Sequence, residues 1–205
     1  MNFPHCLGSI DGKHVQIIAP ESSGSMYFNY KGTFSIVLLG VANANYNFIY
    51  ADVGCQGRIS DGGVFKYTLL YEKIEQRKLN LPADETLPGR TNPVPFVFVA
   101  DDAFALATHI MKPHPGHKSG ASSPERIFNY RLSRARRMIE NVFGILSSKF
   151  RVLLKPDKVE SAVLSCIYLH NYLCRNSVSR NFYAPPGSFD SEDADGNSIP
   201  GLWGP

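Results

Sequence analysis

The chain has 205 residues, 43% hydrophobic and 19% charged, which is enough to bury one substantial core and not two. It contains neither a run of about 18 uncharged apolar residues nor a basic leader before an apolar stretch, so no membrane span or secretory signal is visible, and a soluble, intracellular chain is the expectation. The net charge of +3 conceals segregation: residues 1–111 hold 8 basic and 10 acidic side chains, residues 112–180 hold 13 and 4, a block of +9, and residues 181–205 hold 4 acidic and none basic.

In chain order, Ile10 to Ile18 reads as a strand with Asp11 set inside it, where an uncompensated carboxylate costs free energy. Residues 34–54, "FSIVLLGVANANYNFIYADVG", read as two apolar strands joined by an Asn-rich turn whose side chains tolerate left-handed backbone, completing a three-strand meander. Helical spacing follows at Val64, Phe65, Thr68, Leu69, Tyr71 and Glu72, with Ser60 or Asp61 as cap; Asp61 is read chiefly in that role. Four prolines mark residues 80–95 as a surface excursion, and "PFVFVADDAF" predicts a central strand ending in Asp101 and Asp102.

Ser123, Pro124 and Glu125 form a helix start, and Leu132, Ala135, Ile139, Val142 and Leu146 mark the core stripe of a long helix. A second helix runs from Val159 to about Arg175, with His170 on its apolar side as a core histidine. Residues 1–178 form the expected domain, and the acidic, Pro/Gly-rich stretch 179–205 is expected to be disordered. Cys6, Cys55, Cys166 and Cys174 lack a Cys-x-x-Cys pair and read as buried reduced thiols, while His109, His114 and His117 have no zinc spacing. The order of elements gives an α/β fold: a mixed sheet covered by helices.

Adjacent central strands would bring Asp11 and Asp101 together, and the long helix could carry Glu140 to the same point. Three converging carboxylates repel one another unless a cation joins them. Two Mg²⁺ or Mn²⁺ ions, which prefer oxygen ligands, would satisfy the set and could cleave phosphodiesters. Taken singly, Asp11 is equally a turn residue and Asp101 a loop cap. Arg136 and Arg137 flank Glu140, and Arg131, Arg134, Lys149 and Arg151 extend a basic patch suited to DNA phosphates or to plain solvation. Lys13 and His14, beside Asp11, are substrate-contact candidates. A carboxylate-pair glycosidase would leave the +9 block unexplained.

The segments "GSIDGKHVQI", "YFNYKGTFSIVLLGVANANYNFIYADVGCQGRISDGGVF", "VFVADDAFAL", "FNYRLSRARRMIENVFGILSSKFRVL" and "LHNYL" resemble, in order, those of Harbinger-type DDE transposases and the nucleases derived from them. The resemblance spans roughly residues 6–176. It implies an RNase H-like fold with Asp11, Asp101 and Glu140 as catalytic metal ligands, two Mg²⁺ or Mn²⁺ ions, DNA as substrate and a nuclear location. Asp102 and Ala103 depart from the Ser and Gly usual in the family, and Asp61 matches a further family Asp. The family's upstream helix-turn-helix region is not part of these residues; the resemblance therefore implies either a fragment or a Myb-like DNA-binding partner, and leaves a homo-oligomer open. A domesticated DNA-binding or scaffold protein without catalysis is the alternative.

Overall fold

The computed structural model describes residues 3–116, 123–150, 159–193 and 197–202. β1 (Cys6–Gln16) pairs antiparallel with β2 (Ser35–Ala42), which pairs antiparallel with β3 (Phe48–Gln56). The short helices α1 (Asp61–Lys66) and α2 (Leu69–Glu75) follow, then a small hairpin of β4 (Glu85–Thr86) and β5 (Pro93–Val94) within the proline-rich excursion. β6 (Val97–Val99) lies parallel to β1, and β7 (Ile110–Met111) lies parallel to β6. The resulting mixed sheet has the order β3-β2-β1-β6-β7. Two long helices, α3 (Pro124–Lys149) and α4 (Val159–Arg175), are followed by α5 (Ser177–Tyr183) and a two-stranded pairing of β8 (Ser191–Glu192) with β9 (Ser198–Ile199). This α/β arrangement is compatible with an RNase H-like fold.

Strand alternation divides the core. β2 is buried along its whole length, sending Val37, Leu39 and Val41 toward α1 and α2 and Ile36, Leu38 and Ala42 toward α3 and α4. Each Val, Leu or Ile among them stabilises by about 1.5–3 kcal/mol. The predicted stripe of α3, Leu132, Ala135, Ile139, Val142 and Leu146, is buried throughout. Ser123 caps that helix by accepting from the Arg126 N–H, with Pro124 at its first position. Ser9 Oγ accepts from the Ile139 N–H at 3.1 Å, fixing α3 against β1 two residues from Asp11.

Three expectations change. The single helix after residue 60 is two, because the Thr68 hydroxyl donates to Phe65 O and accepts from Tyr71 N, ending one helix and capping the next. In the turn between β2 and β3 the left-handed residue is Tyr46 (φ 62°), while Asn43 Oδ1 accepts from the N–H groups of Asn45 and Asn47. Beyond residue 178 the described residues are folded where composition predicted disorder. Tyr183 is buried against His170, Phe189 stacks on Tyr46 at 3.8 Å, and the Asp190 N–H donates to Asn141. Aromatic anchors, few in number, hold an otherwise polar strap.

Candidate active site

β6 ends at Val99, so β1 continues past its neighbour and leaves an open edge. The parallel register pairs Ser9 with Val99; carried two residues further, it sets Asp11 beside Asp101. Asp11 sits on the α3 side of β1, as do Lys13 and Val15. Its Oδ1 accepts from the Gly12 N–H at 2.9 Å, and Asp101 Oδ1 accepts from Ala103 N–H at 2.9 Å, shaping the turn after β6.

Asp61 enters from the opposite face. Ser60, not Asp61, caps α1, accepting from the Gly63 N–H. Asp61 is thereby free to turn its carboxylate onto the backbone of β1 at Gly12, where a Cβ would overlap it. The glycine at 62 has a parallel reason: a Cβ there would collide with the Ala103 carbonyl, so α1 can lie directly on the turn that follows Asp101. Gly12 on β1 and Gly62 on α1 are what let the helix approach.

Glu140 comes from α3. Arg136, one turn earlier, places Nη2 3.4 Å from Glu140 Oε1 and 3.9 Å from Asp11 Oδ2, so a guanidinium stands between two of the predicted acids. Asp11, Asp61 and Glu140 line one pocket of about 260 Å³ with Lys13, His14, Tyr30 and Lys31; Asp101 is outside its lining.

The electrostatics follow from that crowding. Burial pushes Asp11 up to about 7, with Asp101 and Asp61 adding to the rise and Arg136 and the Gly12 N–H opposing it. Asp61 is raised by burial and by Asp101, against Lys31. Asp61 Oδ1 is buried without a hydrogen-bond partner. Hard carboxylate oxygens, one of them orphaned, suit a divalent cation such as Mg²⁺ or Mn²⁺. The acids are nonetheless coupled in pairs: among the described residues no three His, Cys, Asp or Glu side chains stand close enough to hold one ion together.

The basic patch is divided. Arg136 is half-buried and turned to the acids, so its first role is internal. Arg134 Nε and Arg137 Nη1 contact the Glu192 carboxylate at 2.8 and 2.9 Å, drawn there by the folded acidic strap. Arg131 and Lys149 are exposed, and Arg151, like His117, lies outside the described residues. His170 is a core residue: its Nε2–H donates to Tyr46 O at 2.7 Å, leaving Nδ1 to accept from the Tyr183 hydroxyl at 2.9 Å. All four cysteines are free thiols, Cys166 and Cys174 buried and Cys6 and Cys55 half-buried. Sequence reasoning missed the inward turn of Asp61 and the role of Tyr30 and Lys31 as pocket walls. Gly62, just after Asp61, was a signal of close approach; nothing marked the other two.

Fold and site together define an α/β protein with acidic side chains gathered at the open edge of a mixed sheet. The family described as DDE superfamily endonuclease matches residues 10–171, and the chain belongs to that family. Among curated proteins it is similar to "Protein ALP1-like" of Arabidopsis thaliana, 28% identical over 83% of this chain and 43% of that protein. It is also similar to "Putative nuclease HARBI1" of Homo sapiens, 27% identical over 82% of this chain and 46% of that protein, and of Mus musculus, 27% identical over 92% and 51%. These matches agree with the Harbinger-type resemblance carried by the motifs. The chain spans about half the length of the curated relatives it matches. No solved structure matches it.

Proposed function

We propose that the chain is the catalytic domain of a metal-dependent DNA endonuclease or transposase with an RNase H-like fold, whose catalytic residues are Asp11, Asp101 and Glu140. The observation that carries the reading is the juxtaposition of Asp11 and Asp101, which the parallel register of β1 and β6, carried past Val99, brings side by side, in a chain whose family is endonucleolytic. Asp11, Asp101 and Glu140 would hold two Mg²⁺ or Mn²⁺ ions, and the orphaned oxygen of Asp61 is a further donor for them. When bound, such ions supply the charge that makes a water or a 3′-hydroxyl nucleophilic and that stabilises the leaving oxygen. The chain's own residues do the rest. Asp11, held near neutrality by burial, can keep or release a proton at its carboxylate. Arg136 balances Asp11 and Glu140 and becomes available to a phosphate once another cation takes that place. Arg131 and Lys149 offer phosphate contacts at the surface, and Arg134, Arg137 and Arg151 complete the proposed DNA-binding set. A nuclear location and recognition of the target through a Myb-like or helix-turn-helix partner belong to the same proposal.

A second reading is a domesticated DNA-binding or scaffold protein without catalysis; the placement of Arg136 between Asp11 and Glu140 favours it, because the acids are then already compensated. Plasmid nicking separates the two. The expected result is nicking that requires Mg²⁺ or Mn²⁺ and falls by about 10²-fold or more in Asp11→Asn, Asp101→Asn or Glu140→Gln. DNA binding with no metal-dependent nicking supports the second reading, and nicking unchanged in the three variants refutes the assignment of the acids.

A further inference from the structure

The connection between β1 and β2 presents two side chains over the acidic pocket, and it does so on a rigid base. Asn29 is buried; its Oδ1 accepts from the N–H groups of Lys31 and Thr33 at 2.9 and 3.1 Å, and its Nδ2 donates to Thr33 Oγ1 and Ser35 Oγ at 3.0 and 2.8 Å. Gly32, at φ 76°, closes the turn, with the Gly32 N–H donating to Asn29 O and the Asn29 N–H to Thr33 O. The turn is therefore built without any contribution from the side chains of Tyr30 and Lys31.

Tyr30 is 82% exposed, although burying an aromatic ring is favourable and this one is held in place. It meets His14 in a T-shaped contact, ring centroids 5.4 Å apart, and His14 Nδ1 lies 2.8 Å from Ser35 Oγ, the same hydroxyl that Asn29 engages. Lys31 Nζ lies 5.5 Å from the Tyr30 ring centroid. Lys13, on the Asp11 face of β1, reaches over Phe143 at 5.9 Å and lines the same pocket as Lys31. Two lysines lining the same acidic pocket form a place for one anion, and the Tyr30 ring beside them remains largely exposed to solvent.

A nucleic-acid strand alternates an anion with a flat apolar base. We propose that Tyr30 stacks an unpaired DNA base next to the phosphate that Lys13 and Lys31 hold at the mouth of the pocket, making Tyr30 and Lys31 positioning residues for the strand to be cut. The inference rests on the DNA-cleaving reading above and deepens it. It commits the site to DNA that is single-stranded, frayed or melted, because bases within an intact duplex are already stacked on their neighbours. Stacking is tolerant of sequence, so the site needs no particular base.

The full chain is titrated, in EDTA, with a single-stranded oligonucleotide carrying 2-aminopurine and with the same oligonucleotide annealed into duplex. The wild type should bind the single strand with quenched 2-aminopurine fluorescence. Tyr30→Ala should lose the quenching and about 5- to 150-fold in single-strand affinity, with duplex affinity little changed, while Tyr30→Trp retains both. Lys31→Ala should weaken the single strand and flatten its salt dependence without removing the quenching. Wild-type protein that does not quench, or Tyr30→Ala protein that binds and quenches as wild type does, overturns the inference. Because no divalent ion is present, this outcome is independent of nicking: failure of the wild type to nick plasmid in Mn²⁺ refutes the nuclease reading and leaves the stacking result to stand or fall alone.

Discussion

Gly12→Ala adds a single methyl group where the Asp61 carboxylate rests on β1, so one of the two must move. A strand residue of this kind would ordinarily gain about 0.5–1 kcal/mol from losing glycine's conformational freedom. Here the substitution should destabilise the protein instead, and isothermal titration with Mn²⁺ should show weaker binding than wild type, since it displaces a carboxylate beside Asp11. Gly12→Ala and Gly12→Ser proteins with unchanged affinity and stability would show that Asp61 is a bystander. Asp11 was legible in the sequence because a carboxylate interrupts an apolar strand there, and Glu140 because it lies on the long helix, off its apolar stripe, where packing on the sheet could carry it to the same point. Asp61 was not, because an acid at a helix start has an ordinary local explanation, and only the packing of α1 on β1 shows that Ser60 already performs it.

Among the elements, α4 does more than cover the sheet. Its Asn171 side chain behaves as a short piece of β-strand: Nδ2 donates to Phe48 O and Oδ1 accepts from the Phe48 N–H, both at 2.8 Å, so it satisfies the backbone at the start of edge strand β3. One residue earlier, His170 donates to Tyr46 O in the same turn, which holds the left-handed Tyr46 in place. The "LHNYL" segment is thus a clamp on the β2–β3 connection, explained by backbone hydrogen bonds alone. Asn171→Ala should lower the free energy of unfolding in urea by about 1–3 kcal/mol, as expected for partly buried donors and acceptors left unpaired. An unchanged midpoint would mean that water replaces the side chain without cost. Periodicity placed α3 and α4 well, since a stripe repeating every three or four residues has few competing readings. It failed after residue 60, where a single threonine hydroxyl redirected the backbone.

At the scale of the molecule, the raised Asp11 carboxyl links stability to pH. Its pKa moves from the ordinary value near 4 in the unfolded chain to about 7 in the folded one, so the folded state holds the extra proton between those limits. That contribution is complete below about pH 4 and is lost as pH rises toward 7, amounting to about 4 kcal/mol at most. Asp61, raised for the same reason, adds in the same direction. Burial lowers His170, which acts oppositely and removes stability as pH falls through the range below its ordinary value. The two trends separate on comparison with Asp11→Asn. Wild-type urea midpoints should fall relative to the variant's between pH 5 and 8, and Mn²⁺ should recover the loss at pH 8 more than at pH 5. Parallel curves for the two proteins would remove Asp11 from this role.

By itself the sequence determined the main strands and the two long helices in their order, and the acids Asp11, Asp101 and Glu140 as candidates, because side-chain periodicity and a carboxylate inside a strand are local properties. The tertiary structure decided which charges meet. It set Arg136 between two acids, brought Asp61 across a glycine to the same pocket, and bound Arg134 and Arg137 to Glu192 from a strap that composition alone marked as unfolded. Pairings of this kind depend on distances between residues remote in the chain, and Coulomb energy and desolvation act through space, where a one-dimensional pattern carries no record of them.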